Sequence, residues 1–500
     1  MDVQITPTRT IYTVQAGPMN VTATFLTPIE PSDWVRQSMP FSYVSVNVSV
    51  VDGNSHSVQM YSDISAEWLS GNRSALVKWN TVPSATNVYH VIELQEPLPF
   101  TEISNQAEDG TAYYCMSNAQ NPSYQTGQDS TVRGQFIQNG QLTNGQDENF
   151  RAISDDFPVF GISVDLGSIQ STTSPIVWAV GYVRDPSINY TTGKGETQLR
   201  SPYYATQYST IDDVVNAFLT DFDDAMTRSL AVDNELASAA SAISQNYTDL
   251  VTLAARQTFG GIDITVANGT DGNWNISDTM IFMKDIGVSS RVNPVEVLYA
   301  AFPIFLYLNA SFAKRLLAPL LDFQDSALYT LPYAASDIGS NFAPYMYTYL
   351  ICFAESGNML IMTLAHARAT GDGSLISQHY NLLKDWASYL GENSKAPTNQ
   401  YGHTFFNGQS DANMTNLAIK GIIGIKAMSD ISLALGKTGD AEQFSSIATE
   451  YADSWQTWAM SSSSTQKGLL YTYGGEGTWA LIYNLYADRL LQTNLVSESV

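Results

Sequence analysis

The apolar residues change period once along the chain, near residue 208, and that change limits the possible folds more than any other feature of the sequence. In "YVSVNVSVVDGNSHSVQMY", Val44, Val46, Val48 and Val50 alternate with Ser45, Asn47 and Ser49. A period of two buries one strand face and leaves the other wet. Asp52-Gly53-Asn54 then marks a turn into a second alternating run, as in a hairpin. Similar short runs recur as far as "SPIVWAVGYVRD", with polar segments such as 134–147 between them. Many short antiparallel strands of this kind predict a sandwich. In "STIDDVVNAFLTDFDDAM", Ser209 and Thr210 each stand three residues ahead of an Asp, like a capping box. Val215, Phe218, Leu219, Phe222 and Met226 follow at helical spacing. The sequence thus predicts a multidomain α and β chain: an antiparallel β-sandwich over 1–207 and a helical domain over 208–500.

A weak internal repeat shapes the helical part. Two helices are expected to stop at Thr370-Gly371-Asp372 and Thr438-Gly439-Asp440, with Gly in the left-handed position that ends a helix. Leu375, Tyr380, Leu383 and Trp386 face inward in one copy; Phe444, Ile447, Tyr451 and Trp455 do so in the other. Repeated α-hairpins can close into an (α/α)-type toroid, with loops gathered at one mouth, or stay an open solenoid.

Composition excludes several partners. Lys plus Arg number 23 against 48 Asp plus Glu, a net charge of −25. That charge repels nucleic acid and anionic membrane surfaces. The most apolar run, 297–308, is too short for a membrane span and contains Pro303. Sequons begin at Asn20, Asn47, Asn72, Asn189, Asn246, Asn268, Asn275, Asn309 and Asn413. They point to N-linked glycans and to an extracellular or cell-wall-associated protein whose leader is not in this chain. Cys115 and Cys352 read as two separate buried thiols. The five His residues show no metal-ligand spacing, no nucleotide or protease motif occurs, and no cofactor is implied.

The candidate chemistry starts at "CFAESGNMLIM", where Glu355 opens an apolar helix expected over 354–369. It is either a first-turn stabiliser of the positive helix end or an acid or base aimed into the mouth. Asp337 lies in a Tyr-rich loop and reads either as an Asx turn or as a pocket residue. Lys284-Asp285 follows an apolar run. A second polar and aromatic loop is expected to carry His403, Asp411, Asn416 and Lys420, with His403 able to shuttle a proton.

"FLTPIEPSDWVRQSMPFSYVSV", "ARQTFGG", "MIFMKDIGVSSRVNPVEVLY", "ESGNMLIMTLAHARATGD", "TNLAIKGIIGIKAMSDI" and "LIYNLYADRLL" together resemble the fungal secreted glutaminase A family over nearly the whole chain. The resemblance implies a β-sandwich followed by an (α/α)6-type toroid, with further chain beyond both ends. It also implies hydrolysis of the side-chain amide of glutamine, a small-molecule substrate, to glutamate and ammonia. On that reading Glu355 and Asp337 are catalytic, and Lys284, Asp285, His403, Asn416 and Lys420 bind substrate. The sequence departs from the family pattern in three places. Ser336 replaces a His, Ala354 replaces the first of two glutamates, and the loop His403 to Gly408 lacks an acidic pair. Each removes a titratable group. A non-catalytic secreted structural or binding glycoprotein is therefore one alternative, and a glycoside hydrolase-like activity, by analogy of architecture, is another.

Overall fold

The computed structural model describes residues 1–269, 271–285, 289–340, 352–398, 411–463 and 468–497. They form two compact units: 1–188 with 199–279, and 189–198 with 280–500. The change of period at residue 208 and the division into compact units are different boundaries.

The first unit is built on two antiparallel sheets. Its strands are β1 (Asp2–Ile5), β2 (Arg9–Ala16), β3 (Met19–Leu26), β4 (Phe41–Val50), β5 (His56–Ser65), β6 (Val77–Pro83) and β7 (Asn87–Leu94). After the short ribbon β8 (Glu102–Ile103) and β9 (Gln106–Ala107) come β10 (Thr111–Ser117), β11 (Ser123–Gln128), β12 (Pro158–Ile169) and β13 (Ile176–Val183). The large sheet runs β1-β2-β3-β4-β13-β10-β7-β6, and the small one β11-β12-β5. Val77, Trp79, Ile92, Met116 and Trp178 of the large sheet pack against Met60, Phe160, Ile162 and Val164 of the small one. The indole of Trp178 donates across the gap to the Ile162 carbonyl at 3.3 Å. This is the sandwich expected from the alternating runs.

Two local expectations are corrected. β4 and β5 do not form a hairpin: the turn at Gly53, whose φ is 79°, hands the chain from one sheet to the other. Nor is the second face of β4 wet throughout. Phe41, Tyr43 and Ser45 are buried on it. Helices α1 (Trp34–Gln37) and α2 (Asp129–Asn139) precede the three that close this unit, α3 (Ile211–Thr220), α4 (Phe222–Ser241) and α5 (Gln245–Gly260). Thr210 caps α3 by accepting from the Asp213 amide, as the sequence predicts. Phe218 and Phe222 then settle on the strand face. The Tyr43 and Phe218 rings stack at 4.0 Å, and Tyr43 Oη donates to the Phe218 carbonyl at 2.5 Å. An aromatic face is removed from water while its one polar tip is satisfied.

The second unit is helical: α6 (Val295–Asn309), α7 (Ser311–Gln324), α8 (Cys352–Thr370), α9 (Ser374–Gln378), α10 (Tyr380–Asn393), α11 (Thr415–Ala434), α12 (Thr438–Trp458) and α13 (Leu485–Leu490). α8 and α11 are buried on nearly all sides, which their apolar, small-residue sequences permit. Their backbones cross without a side-chain cushion. A Cβ on Gly424 would lie 3.1 Å from Gly357 Cα, and one on Gly357 would lie 3.0 Å from Lys420 Cγ. Only glycine permits so close a passage. Gly371, with φ 72°, follows α8 as expected. The second stop is corrected: α11 ends before Gly436, φ 71°, and Thr438-Gly439-Asp440 form the first turn of α12.

Cys115 is a free buried thiol; the Cys352 side chain lies outside what is described. Asn20, Asn47, Asn72, Asn246, Asn268 and Asn275 are exposed, and Asn189, Asn309 and Asn413 are half-buried. No helix among the described residues is long and apolar enough to cross a membrane.

Candidate active site

Six ionisable side chains meet in the second unit. Glu355 lies in the first turn of α8 and is 1% exposed. Its Oε2 accepts from Asn358 Nδ2 at 2.8 Å, one turn along the same helix. Lys420 comes from α11, itself buried, with Nζ 4.6 Å from the centre of the Tyr299 ring. Glu296, in the first turn of α6, accepts from Arg291 Nη2 through one oxygen. Its other oxygen has no hydrogen-bond partner among the described residues. Arg291 also donates to Asp285 at 3.3 Å and stands 3.9 Å from Asp337.

Four acids thus share this buried space with two bases, Arg291 and Lys420, which leaves an excess of two negative charges if all ionise. Burial makes that excess costly, so protons are retained. The Glu355 pKa is raised, first by burial and then by the Glu296 charge, against the opposing pull of Lys420. Lys420 is pushed the other way, down, mainly by burial. Asp337 is raised to about 6, mainly by burial, although the Gly339 amide, Ser336 and Arg291 oppose the shift.

The residues singled out in the sequence fall into three groups. Glu355 and Lys420 come together, and Asp337 and Asp285 join them through Arg291. Lys284 and Asn416 are otherwise engaged. Lys284 Nζ donates to the Ser290 carbonyl at 2.8 Å. Asn416 accepts from the Asn484 amide at 3.1 Å, fixing the start of α13. His403 lies outside the described residues. One expectation is corrected: Asn416 and Lys420 are on helix α11 and not in a loop. Its first residue, Thr415, is preceded by Met414, which makes no side-chain cap, so the usual start signal is missing.

Sequence reasoning missed Arg291 and Glu296. They stand in the quoted stretch "SSRVNPVEVL", where Pro294 immediately precedes α6 and Glu296 occupies its first turn. That placement is the available signal.

Beside Glu296 and Lys420 lies a cavity of about 320 Å³, walled mostly by apolar and aromatic side chains, among them Tyr299, Phe302, Met362, Tyr483 and Tyr486. Glu296 and Lys420 supply its charged groups. No group of three or more His, Cys, Asp or Glu able to hold a metal occurs among the described residues. The arrangement suits proton transfer at a carboxyl whose pKa is raised, next to a cation able to hold developing negative charge.

Comparison with known proteins gives two family matches. Residues 244–500 match the model described as the glutaminase A six helical-hairpin domain. Residues 8–239 match a domain of unknown function, DUF5127. "Glutaminase A" of Aspergillus oryzae is 39% identical over 99% of this chain and 72% of its own length. A "Probable glutaminase" of Arthroderma benhamiae is 29% identical over 95% of this chain and 62% of its own length. A bacterial glucoamylase solved in complex with acarbose superposes with a TM-score of 0.48 at 10% identity, over 94% of this chain and 60% of that one.

Proposed function

The chain belongs to the glutaminase A family, and from that premise we propose that it hydrolyses the side-chain amide of glutamine, or of a similar small γ-amide, to the acid and ammonia. The observation that carries the reading is Glu355, buried beside Lys420 and Glu296, two residues that line a cavity of about 320 Å³.

In its ionised form Glu355 takes a proton from a water molecule. The water oxygen bonds to the amide carbon, and the C=O electron pair moves onto oxygen. Lys420 Nζ holds that oxyanion. It makes no hydrogen bond among the described residues, only its contacts with the Tyr299 and Tyr483 rings. As the carbonyl re-forms, the C–N bond breaks and the Glu355 proton passes to the departing nitrogen. The products are a carboxylic acid and ammonia. A raised carboxyl pKa suits this double use, because the same group must accept and return a proton near neutral pH. Asp337 acts as a positioning residue. Its oxygens accept from the Gly339 amide and Ser336 Oγ, each at 2.9 Å, and it faces Arg291. Arg291 in turn orients Glu296.

The exposed sequons support an extracellular, N-glycosylated protein. A second reading, a non-catalytic binding glycoprotein, draws on the aromatic cavity wall and on Ser336 and Ala354, where the family pattern has ionisable groups. Ammonia release from L-glutamine separates the two. The purified chain is expected to release ammonia, and Glu355→Gln to lower kcat about 100-fold or more, with circular dichroism unchanged. No release by the unaltered chain favours the second reading. Release at equal rates by both removes Glu355 from the chemistry.

A further inference from the structure

A larger cavity, of about 750 Å³, opens in the first unit between the large sheet and the small one, with α2 at its rim. Three lining aromatics are unusually open to water: Phe25 at 46%, Trp68 at 46% and Phe157 at 48%. Phe157 and its neighbour Asp156 both have left-handed backbones, with φ of 39° and 56°. A bulky residue adopts that conformation only when its surroundings impose it, and such strain gathers at binding sites. The fold therefore spends backbone strain to hold a phenyl ring in the open at the lip of a cleft.

The polar lining narrows the ligand class. Each of its carboxylates already has an arginine partner. Asp63 takes a two-pronged bond from Arg133 at 2.8 and 3.0 Å. Asp129 meets Arg133 at 3.2 Å, and Glu67 stands 3.6 Å from Arg73. Three carboxylates against two arginines leave a small negative surplus that repels an anion, while a guanidinium beside each carboxylate weakens its pull on a cation. What remains are fixed acceptors and donors, together with hydroxyls such as the Thr27–Ser42 pair at 2.8 Å. On the cavity wall, the buried Tyr114 Oη interacts with Ser62 but makes no well-formed hydrogen bond among the described residues.

We infer that this cleft is a second binding site, separate from the acid cluster of the helical unit, and that it takes a neutral oligosaccharide. Pyranose rings present flat C–H faces to aromatic side chains and hydroxyl edges to pre-arranged polar groups. Open aromatics around a polar floor of arginine-paired carboxylates, in a cleft of this volume, meet both needs.

Isothermal titration calorimetry of the full chain tests the site, with maltotriose, cellotriose, mannotriose and chitotriose as separate probes and tri-lysine in parallel. The expected result is saturable binding of at least one trisaccharide, with a Kd below about 10 mM. Trp68→Ala and Phe157→Ala should each weaken it about tenfold or more, with circular dichroism and the glutaminase rate unchanged. Saturating L-glutamine should not displace the sugar. Three outcomes overturn the inference: no trisaccharide bound, binding equal in all three proteins, or tri-lysine bound in place of sugar. A failure to release ammonia from glutamine would not bear on it.

Discussion

Glu355 performs its proposed task only when ionised, and the charge of Glu296 helps to keep it protonated. kcat/KM is therefore expected to fall as pH drops through the raised Glu355 pKa. In Glu296→Gln the acid limb of the profile should move down by about one pH unit, since a like charge has gone. An unmoved limb would show that Glu355 is not the titrating base. Arg291 is the opposite case, the shared partner of the buried Asp285 and Asp337 and of the part-buried Glu296. Arg291→Met leaves them unmatched and is expected to cost about 3–5 kcal/mol in urea unfolding. The sequence pointed to Glu355, Asp337, Asp285 and Lys420 but not to Arg291 or Glu296. The reason is physical: Arg291 and Glu296 look like ordinary residues ahead of and inside a first helical turn. Their importance comes from burial with acids distant along the chain, and no local pattern reports that.

Among the elements, the crossing of α8 and α11 is the most demanding. A methyl group on Gly421 would lie 2.5 Å from the buried Phe353 ring and 2.3 Å from Ser394 Oγ. Alanine gains about 1 kcal/mol of helix propensity over glycine, whereas overpacking a rigid core costs about 1–3 kcal/mol. Gly421→Ala is expected to lower stability on balance, measured by chemical denaturation. The junction of α9 and α10 responds to pH. Burial works against a charge on His379, but Asp322 and Asp325, at 3.4 and 2.8 Å, outweigh it and raise the pKa. A raised folded pKa gives stability that is complete below the unfolded value of about 6.5 and is lost as pH rises through the folded one. The Tm difference between the unaltered chain and His379→Gln should therefore be largest in acid and shrink towards alkaline pH. Strands and helices were legible from their periods, yet two boundaries were not. Asp52-Gly53-Asn54 specifies a reversal without saying which sheet receives the next strand. The start of α11 carries no capping side chain to announce it.

For the molecule as a whole, the dominant quantity is its charge of −25. Most of that charge is on the surface, where self-repulsion weakens the folded state and salt screens it. Raising NaCl from about 0.02 to 0.5 M is expected to raise Tm by a few degrees, and solubility should be least near the isoelectric point of about 4.3. A Tm that falls with salt would mean that attractive ion pairs, such as Arg133 with Asp63, outweigh the repulsion. At this scale the sequence showed a strand-rich half and a helical half. It did not show that α3 and α4 would be drawn onto the back of a sheet, because Phe41 and Tyr43 share their face of β4 with Ser45, Asn47 and Ser49, the polar row of the alternation. The glycine contact between α8 and α11 has a consequence for catalytic tolerance. Where main chain rests on main chain, the gap between acid and ammonium is set by a hard stop and not by the plastic fit of surrounding hydrocarbon. Apolar neighbours can then be exchanged with little change in the spacing of Glu355 and Lys420, whereas one added carbon at the stop would pry the pair apart.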